Sequence, residues 1–375
     1  MVDLAVRNLL HDKLRFVITV CGVAFAVALV FVQTGLFIGL LENASVTIEH
    51  MPAEIWVAGK NTPNVDFGQP FPEGLVQRVR SVPGVARADN LLIWYTRVAL
   101  SNGAQEGNMV YALDNFERWN FPWNITEGSV RDLKRGRYVM IDSSAEKRFG
   151  AFELGEYREI NGRRFKIVGR TADAVSFTTT PIFFMDYAML QLVDNGNLAG
   201  KTTFIIVKLE PGANVETVRM EIQRRLPYND VHTSAEWAEK SKAYWVESTG
   251  LGLNMIMTVF LGCLVGLVVV AQTLYASTME HIREFGTVKA IGGGNMDIYR
   301  ILGKQATISA VMGYLLGAGL SHALAPAMAQ LDLKLVIPPS LSIAIFVGTL
   351  VLCLASAGFS FNKVASIDPA LVFRN

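Results

Sequence analysis

The sequence predicts a membrane α-helical protein of four spans joined to one large extracytoplasmic α+β domain. Two observations carry that prediction. Apolar residues collect in four long blocks, at about 16–41, 251–276, 305–325 and 341–361, none of which contains an Asp, Glu, Lys or Arg. A helix rising about 1.5 Å per residue needs roughly 20 apolar residues to cross about 30 Å of hydrocarbon, and all four blocks reach that length. The charges lie between the blocks, most of them in the stretch 42–250, which is long enough for a folded core of its own. Averages alone would decide little. A chain of 375 residues with 51% hydrophobic and 18% charged residues and a mean hydropathy of +0.31 sits at the margin of what soluble proteins show.

The first block is too long for a cleaved signal peptide and no small-residue cleavage site follows it, so it is expected to persist as span 1. Lys and Arg near the span ends set the orientation. Arg7, Lys13 and Arg15 precede span 1, and Arg283, Lys289, Arg300 and Lys304 lie between spans 2 and 3. Lys363 and Arg374 stand in the 362–375 tail, whereas the 326–340 loop between spans 3 and 4 holds only Lys334. The positive-inside rule then places both termini and the 277–304 segment in the cytoplasm. The 42–250 domain falls outside, since domains of that length translocate regardless of their charge.

A formal net charge of +1 offers no basic footprint for nucleic acid. The three cysteines, Cys21, Cys263 and Cys353, all lie inside spans, so no disulfide holds the outer domain and its core must suffice. His11, His50, His232, His281 and His322 are scattered, and no paired metal-ligand spacing occurs, so no metal site is expected. Gly196 to Thr202 resembles a phosphate loop only loosely. Three residues instead of four separate its glycines, and the strand follows it instead of preceding it. The glycines at 292–294 read as a flexible break, with Asn295 capping the helix that follows. No carboxylate pair or Ser/His arrangement stands out, so no catalytic residue is assigned and no enzyme is expected.

Within the outer domain two strand–helix–strand units are legible. Glu54-Ile-Trp-Val57 reads as a strand, followed by a helix with apolar Leu75, Val76, Val79 and Val82 and a turn at Pro83-Gly84. Phe204 to Leu209 reads as another strand, and Asn214 can cap a helix whose Val215, Val218, Ile222 and Leu226 share one face. Together these give an α+β layer with the sheet on one side and helices on the other. Between them, about 91–200, short strands with turns such as Ser101-Asn-Gly103 and Asn161-Gly162 make a β-rich insert. Long helices join this domain to the membrane. Span 1 and Glu42 to Met51 have no breaker before Pro52, and a capping box at Thr233/Glu236 opens a run, with Trp237, Tyr244 and Trp245, that leads into span 2.

Three spans carry the small-xxx-small spacing that admits close helix approach: Gly35/Gly39, Gly262/Gly266 and Gly313/Gly317. Gln33, Thr34, Asn254 and Gln272 are uncharged polar groups near membrane depth. No span has an ionisable carboxylate, Lys or Arg near its middle, which argues against a proton- or ion-coupled transporter. Energy must then enter from elsewhere.

The segment Thr278 to Tyr299 resembles the coupling segment of the MacB/FtsX/LolC-type permeases, the type VII ABC transporters. Arg283, Glu284, Gly286, Lys289, Ala290 and Gly292 follow that family's pattern of a basic and an acidic residue, a glycine, a basic residue, alanine and glycine, except that the acidic residue directly follows Arg283. The start, Ala5 to Leu10 with Asn8 and then Lys13 to Arg15, is similar to the family's amphipathic entry helix, here residues 1–15. The end, Ile367-Asp368-Pro369-Ala370 with Arg374, is similar to its C-terminal signature. The four-span layout with a large domain after span 1 matches over the whole chain. The separate permease, its short length and the Ile55-Trp-Val57 start look most like the DevC-type exporter permeases.

The resemblance implies a homodimer that works with two separate ABC ATPase subunits. Those would bind ATP and Mg, leaving this chain without a cofactor. It also implies a porter-like α+β part beside the β-rich part, and a periplasmic adaptor, with an outer-membrane channel as a further candidate partner. Residues 283–292 are then the ATPase-coupling element. The implied function is to transmit ATP-driven movement across the bacterial inner membrane and export a lipid, glycolipid or other hydrophobic cargo. An alternative within the family is a mechanotransmitter that extracts lipoproteins or activates a cell-wall hydrolase, and a third reading is a membrane-anchored binding protein with no ATPase.

Overall fold

The computed structural model describes His11 and residues 13–280, 284, 287 and 294–365, less 101, 135, 179, 195 and 332. The chain divides into two compact units, residues 1–39 with 252–375 and residues 40–251. It opens with α1 (Lys13–Asn43), a turn at Ala44–Ser45 and the short α2 (Val46–His50). Then come β1 (Ile55–Gly59), β2 (Phe71–Pro72), α3 (Val76–Arg80), β3 (Val85–Ala99) and β4 (Gln105–Leu113). These are followed by β5 (Ile125–Gly128), β6 (Tyr138–Asp142), α4 (Ala145–Phe149), β7 (Tyr157–Ile160) and β8 (Arg163–Thr171). Next are β9 (Ile182–Asp186), α5 (Tyr187–Val193), β10 (Lys201–Thr202), β11 (Phe204–Leu209), α6 (Val215–Arg225) and β12 (Asn229–Thr233). Helix α7 (Ser234–Ala243) and one π-helical turn (Tyr244–Ser248) precede α8 (Leu251–Glu280), and α9 (Asn295–Gln330) and α10 (Pro339–Ala365) complete the described chain.

Four of these helices, α1, α8, α9 and α10, are long and apolar enough to cross a membrane. They form the smaller unit's core, in which Val23, Val27 and Phe31 of α1 meet Val270 and Leu274 of α8, Ala306 and Ala310 of α9, and Ile345 and Cys353 of α10. Such packing supplies dispersion and close approach instead of a hydrophobic driving force, because lipid tails are as apolar as the side chains. One sequence expectation needs correcting here. Asn295 is the first helical residue of α9 and does not cap it; the extended residue at the cap is Gly294, whose N–H donates to Asp297 Oδ2 at 3.0 Å. The Asp297 carboxylate, three residues past the cap, accepts this helix-start amide and sits favourably at the positive end of the helix dipole.

The larger unit is built on one ten-stranded mixed sheet with the order β12-β1-β11-β3-β4-β9-β6-β8-β5, and β7 pairs with both β3 and β8. Two pairs, β4 with β9 and β6 with β8, are parallel, and the others are antiparallel. The porter-like part and the β-rich part share this sheet. The 15-residue β3 pairs with β11 through residues 85–91 and with β4 through 91–99. Asn161 (φ 45°) and Gly162 (φ 76°) make the two-residue hairpin between β7 and β8, a turn that needs positive φ at both positions.

The sequence expectation put helices on one side of the sheet, but both faces are covered. Along β1 and β11, Ile55, Val57, Ile205 and Val207 pack under Val76 and Val79 of α3 and Val218 and Ile222 of α6. The alternate residues Trp56, Phe204 and Ile206 pack on the other face with Ile48, Met51 and Trp237. Side chains alternate along a strand, so strands apolar at every position require cover on both sides. Further along, Val110, Ile141, Ile167 and Phe183 form a second core with Phe149 of α4 and Leu190 of α5.

Candidate functional site

The start of α1 and the end of α8 are bonded to each other. Arg15, in the first turn of α1, donates from both terminal guanidinium nitrogens to the two carboxylate oxygens of Glu280 at the end of α8, at 2.7 and 2.8 Å. This bidentate geometry is the strongest form of an Arg–carboxylate contact. From there the two helices run antiparallel in close contact. A Cβ on Gly22 would come within 2.4 Å of Val269, one on Gly266 within 2.9 Å of Ala26, and one on Gly262 within 2.9 Å of Leu29.

The other glycines of the small-residue pairs also face other segments of the same unit. Gly313 and Gly317 of α9 lie against Val23, Ala24 and Val27 of α1, where an added Cβ would meet side chains at 2.4 and 2.7 Å. Gly35 and Gly39 of α1 face no span. They admit the connection between α9 and α10, whose Val336 N–H donates to the Gly35 carbonyl at 3.1 Å and whose Lys334 carbonyl lies where a Gly39 Cβ would be. Only glycine permits that backbone-to-backbone approach.

Within the larger unit, the two segments that lead towards spans 1 and 2 are fastened together. Lys242 of α7 donates to Glu49 of α2 at 2.9 Å, and Ser45 donates to the same carboxylate oxygen at 2.7 Å. Burial opposes ionisation of Glu49, but Lys242 and Ser45 outweigh it and hold its pKa below the ordinary value. The capping box at the start of α7 is complete: Glu236 N–H donates to Thr233 Oγ1 at 3.2 Å, and Thr233 N–H donates to Glu236 Oε2 at 2.9 Å. Beyond α7 the helix widens into the π-helical turn, then breaks at Gly250, whose φ of +74° lies in the left-handed region.

The ring of Trp245, in that π-helical turn, stacks on Phe177 at 3.9 Å and 10°, with Ala44 completing the cluster. Phe177 comes from the connection between β8 and β9, and its backbone bonds the carboxyl of Asp66. Asp66 is 5% exposed. Burial pushes its pKa up to about 7, against the pull of the Phe177 hydrogen bond. The phenols facing it, Tyr95 and Tyr111, are raised by burial first and by the Asp66 charge second, and Tyr111 also accepts a hydrogen bond from Thr47 at 3.1 Å. π-Helical turns interrupt helices mostly at functional positions. Here one stands where the sheet domain meets the helix leading to span 2.

Residues 16–225 match the family model described as MacB-like periplasmic core domain, and residues 256–369 match the FtsX-like permease C-terminal domain. The chain belongs to the MacB/FtsX-type ABC transporter permeases. An uncharacterized ABC transporter permease of Mycobacterium tuberculosis is 24% identical over 375 residues, covering 100% of this chain and 99% of the relative. Another, from Methanocaldococcus jannaschii, is 22% identical over 411 residues, covering 100% and 97%. Among solved structures, the periplasmic region of MacB from Actinobacillus actinomycetemcomitans aligns at 14% identity and a TM-score of 0.39, covering 50% of this chain and 92% of that one. The extracellular domain of the transporter YknZ from Gram-positive bacteria aligns at 15% identity and a TM-score of 0.38, covering 48% and 98%.

Of the permease's sequence-predicted coupling residues, Glu284 is helical and exposed. Arg283, Gly286, Lys289, Ala290 and Gly292 lie outside the described residues, as do Asn8, Asp368, Pro369 and Arg374 at the chain ends. Of the site residues predicted at the chain ends, Arg15 is the one the structure describes, and it bonds Glu280. Sequence reasoning missed that partner, because Glu280 lies four residues beyond the second apolar block and outside the predicted span. Asp66, Phe177 and the π-helical turn carried no signal in the sequence, since they meet only through the tertiary fold.

Proposed function

We propose that this permease is the membrane subunit of an ABC-type exporter that transmits ATP-driven movement to its large extracytoplasmic unit. It works as a homodimer with two copies of a separate ABC ATPase, which binds ATP and Mg. It lies in the bacterial inner membrane with both termini in the cytoplasm. Its cargo is a lipid, glycolipid or other hydrophobic molecule, passed on with a periplasmic adaptor and an outer-membrane channel, in keeping with the DevC-type likeness of the sequence. The observation that carries this reading is the Arg15–Glu280 pair. The two spans whose continuations enter the 40–251 unit are the two joined at their opposite ends, directly beside the coupling segment. A displacement received at 281–294 therefore reaches both helices.

Glu284 docks into the ATPase, and loss of a charge partner in such a contact costs several kcal/mol once it is buried. Glu284→Lys and Gly286→Trp are each expected to abolish co-purification with the ATPase and the stimulation of its ATP hydrolysis. Normal behaviour of both variants would place the contact elsewhere. For the orientation, single cysteines at Asn102 and Met296 in a Cys-free chain are expected to differ, only the former reacting with an impermeant thiol reagent in intact cells. Equal labelling would overturn the assigned topology.

A further inference from the structure

The membrane unit contains an apolar groove of about 280 Å³ between α1, α8 and α10. Ala26 and Val30 of α1 form its floor, Cys263 of α8 one wall, and Ala344, Gly348 and Leu352 of α10 the other. Thr349 also lines it, but its hydroxyl donates to the Ile345 carbonyl at 2.7 Å, so it makes no demand on an occupant. Thr34 of α1 brings one further hydroxyl to the lining, fewer than the two to four polar partners a water molecule needs, so the groove favours apolar guests.

Depth and length narrow the guest further. Along α10 the lining runs from Leu341, beside the start of that span, to Cys353 near its middle. Twelve residues at 1.5 Å per residue span about 18 Å, close to the roughly 15 Å of one leaflet's hydrocarbon. On α1 and α8 the lining runs from Val23 to Thr34 and from Val259 to Val270, so the groove passes through the middle of those two spans. Gly348 shows that the space is not a helix contact. A Cβ there would meet nothing within 4 Å, unlike Gly22, Gly266 and Gly313, whose added Cβ atoms would each press on a neighbouring span.

We propose that this groove holds one acyl chain of a phospholipid, and so gives the permease a binding site for acyl-bearing molecules on its membrane side. The assignment deepens the export reading, on which its functional meaning rests, by naming the cargo's chemical class as acyl-chain lipid. The groove's own occupancy needs neither ATPase nor cargo. The test is photolysis of the full chain in vesicles of phosphatidylethanolamine and phosphatidylglycerol that carry a mid-chain diazirine phosphatidylglycerol, followed by mapping of the labelled residues. Label is expected to concentrate at 341–353 and around Cys263, above that on lipid-facing Leu315, Leu316 and Leu320 of α9. Gly348→Leu, which enters open space, and independently Ala344→Phe are expected to bring the groove's label down to the level on those three residues. Uniform labelling of all these positions, or groove labelling unchanged in both filled variants, overturns the site. So does disulfide formation between copies through Ala344→Cys, which would show a second copy covering the groove. Loss of ATP-driven export with groove labelling intact counts against the export reading alone.

Discussion

Asp66 is a carboxylate whose charge depends strongly on the fold. Its carboxyl is desolvated, with the Phe177 hydrogen bond pulling the other way, and its pKa rises from 3.8 to about 7. Between those values the unfolded chain has released a proton that the folded chain retains. Stability is therefore highest below about pH 4, falls as the pH rises towards 7 and levels off above it, by an amount on the order of 4 kcal/mol at 1.36 kcal/mol per unit. Asp66→Asn keeps the acceptor and removes the ionisation. The wild-type protein is expected to melt at a lower temperature at pH 8 than at pH 5, and the variant to lose most of that difference. A pH profile unchanged in Asp66→Asn would mean that the drop arises elsewhere. Neither Asp66's burial nor its neighbours can be read from the run Thr62 to Phe67, which looks like an ordinary polar loop; the Phe177 backbone reaches it across 111 residues of chain.

At the scale of elements, the spans, the capping box at Thr233/Glu236, the Asn214 cap and the Asn161-Gly162 turn were legible because each depends on local chemistry. The single ten-stranded sheet was not, since the strand order β12-β1-β11-β3 joins segments from opposite ends of the domain. The helical runs at the domain's two ends were legible in kind but not in continuity. Span 1 ends at Asn43, with a turn before α2, and Gly250 separates the π-helical turn from α8. The element-level consequence is the bond between α1 and α8. Arg15 and Glu280 have side chains 26% and 59% exposed, so their contribution to stability is small, about 0.2–1 kcal/mol as for other accessible pairs. Their value is positional. Arg15→Glu and Glu280→Arg are each expected to lower ATP-driven export while ATPase binding persists, and the double reversal, which restores opposite charges, to recover much of it. A double variant no better than the singles would show that the pair does not couple the helices.

At the scale of the molecule, the question is whether cargo crosses through the spans or is moved by the larger unit. A hydrated path for a polar solute needs rows of polar groups or charges facing a lumen. Several hydroxyls of the described spans bond their own helix backbones instead. Thr307 donates to Gly303 O at 2.8 Å, Ser321 to Gly317 O at 2.8 Å and Thr349 to Ile345 O at 2.7 Å. At the contact glycines α1 lies directly against α8 and α9. This favours the function proposed above, in which movement and not solute passes through the membrane. In that proposal the coupling segment drives α8, the Arg15–Glu280 bond carries α1 with it, and the larger unit acts on hydrophobic cargo already in the far leaflet or beyond it. Joining the larger units of two copies should then halt export without disturbing the cytoplasmic side. Single cysteines at exposed Tyr157 and Tyr228, which are 60% and 86% accessible, in a Cys-free chain offer positions for bifunctional thiol crosslinking. The crosslinked dimer is expected to bind its ATPase as before and to export nothing until the crosslinker is cleaved. Continued export by crosslinked protein, or cargo that crosslinks along the mid-membrane faces of α8 and α9, would establish a path between the helices instead.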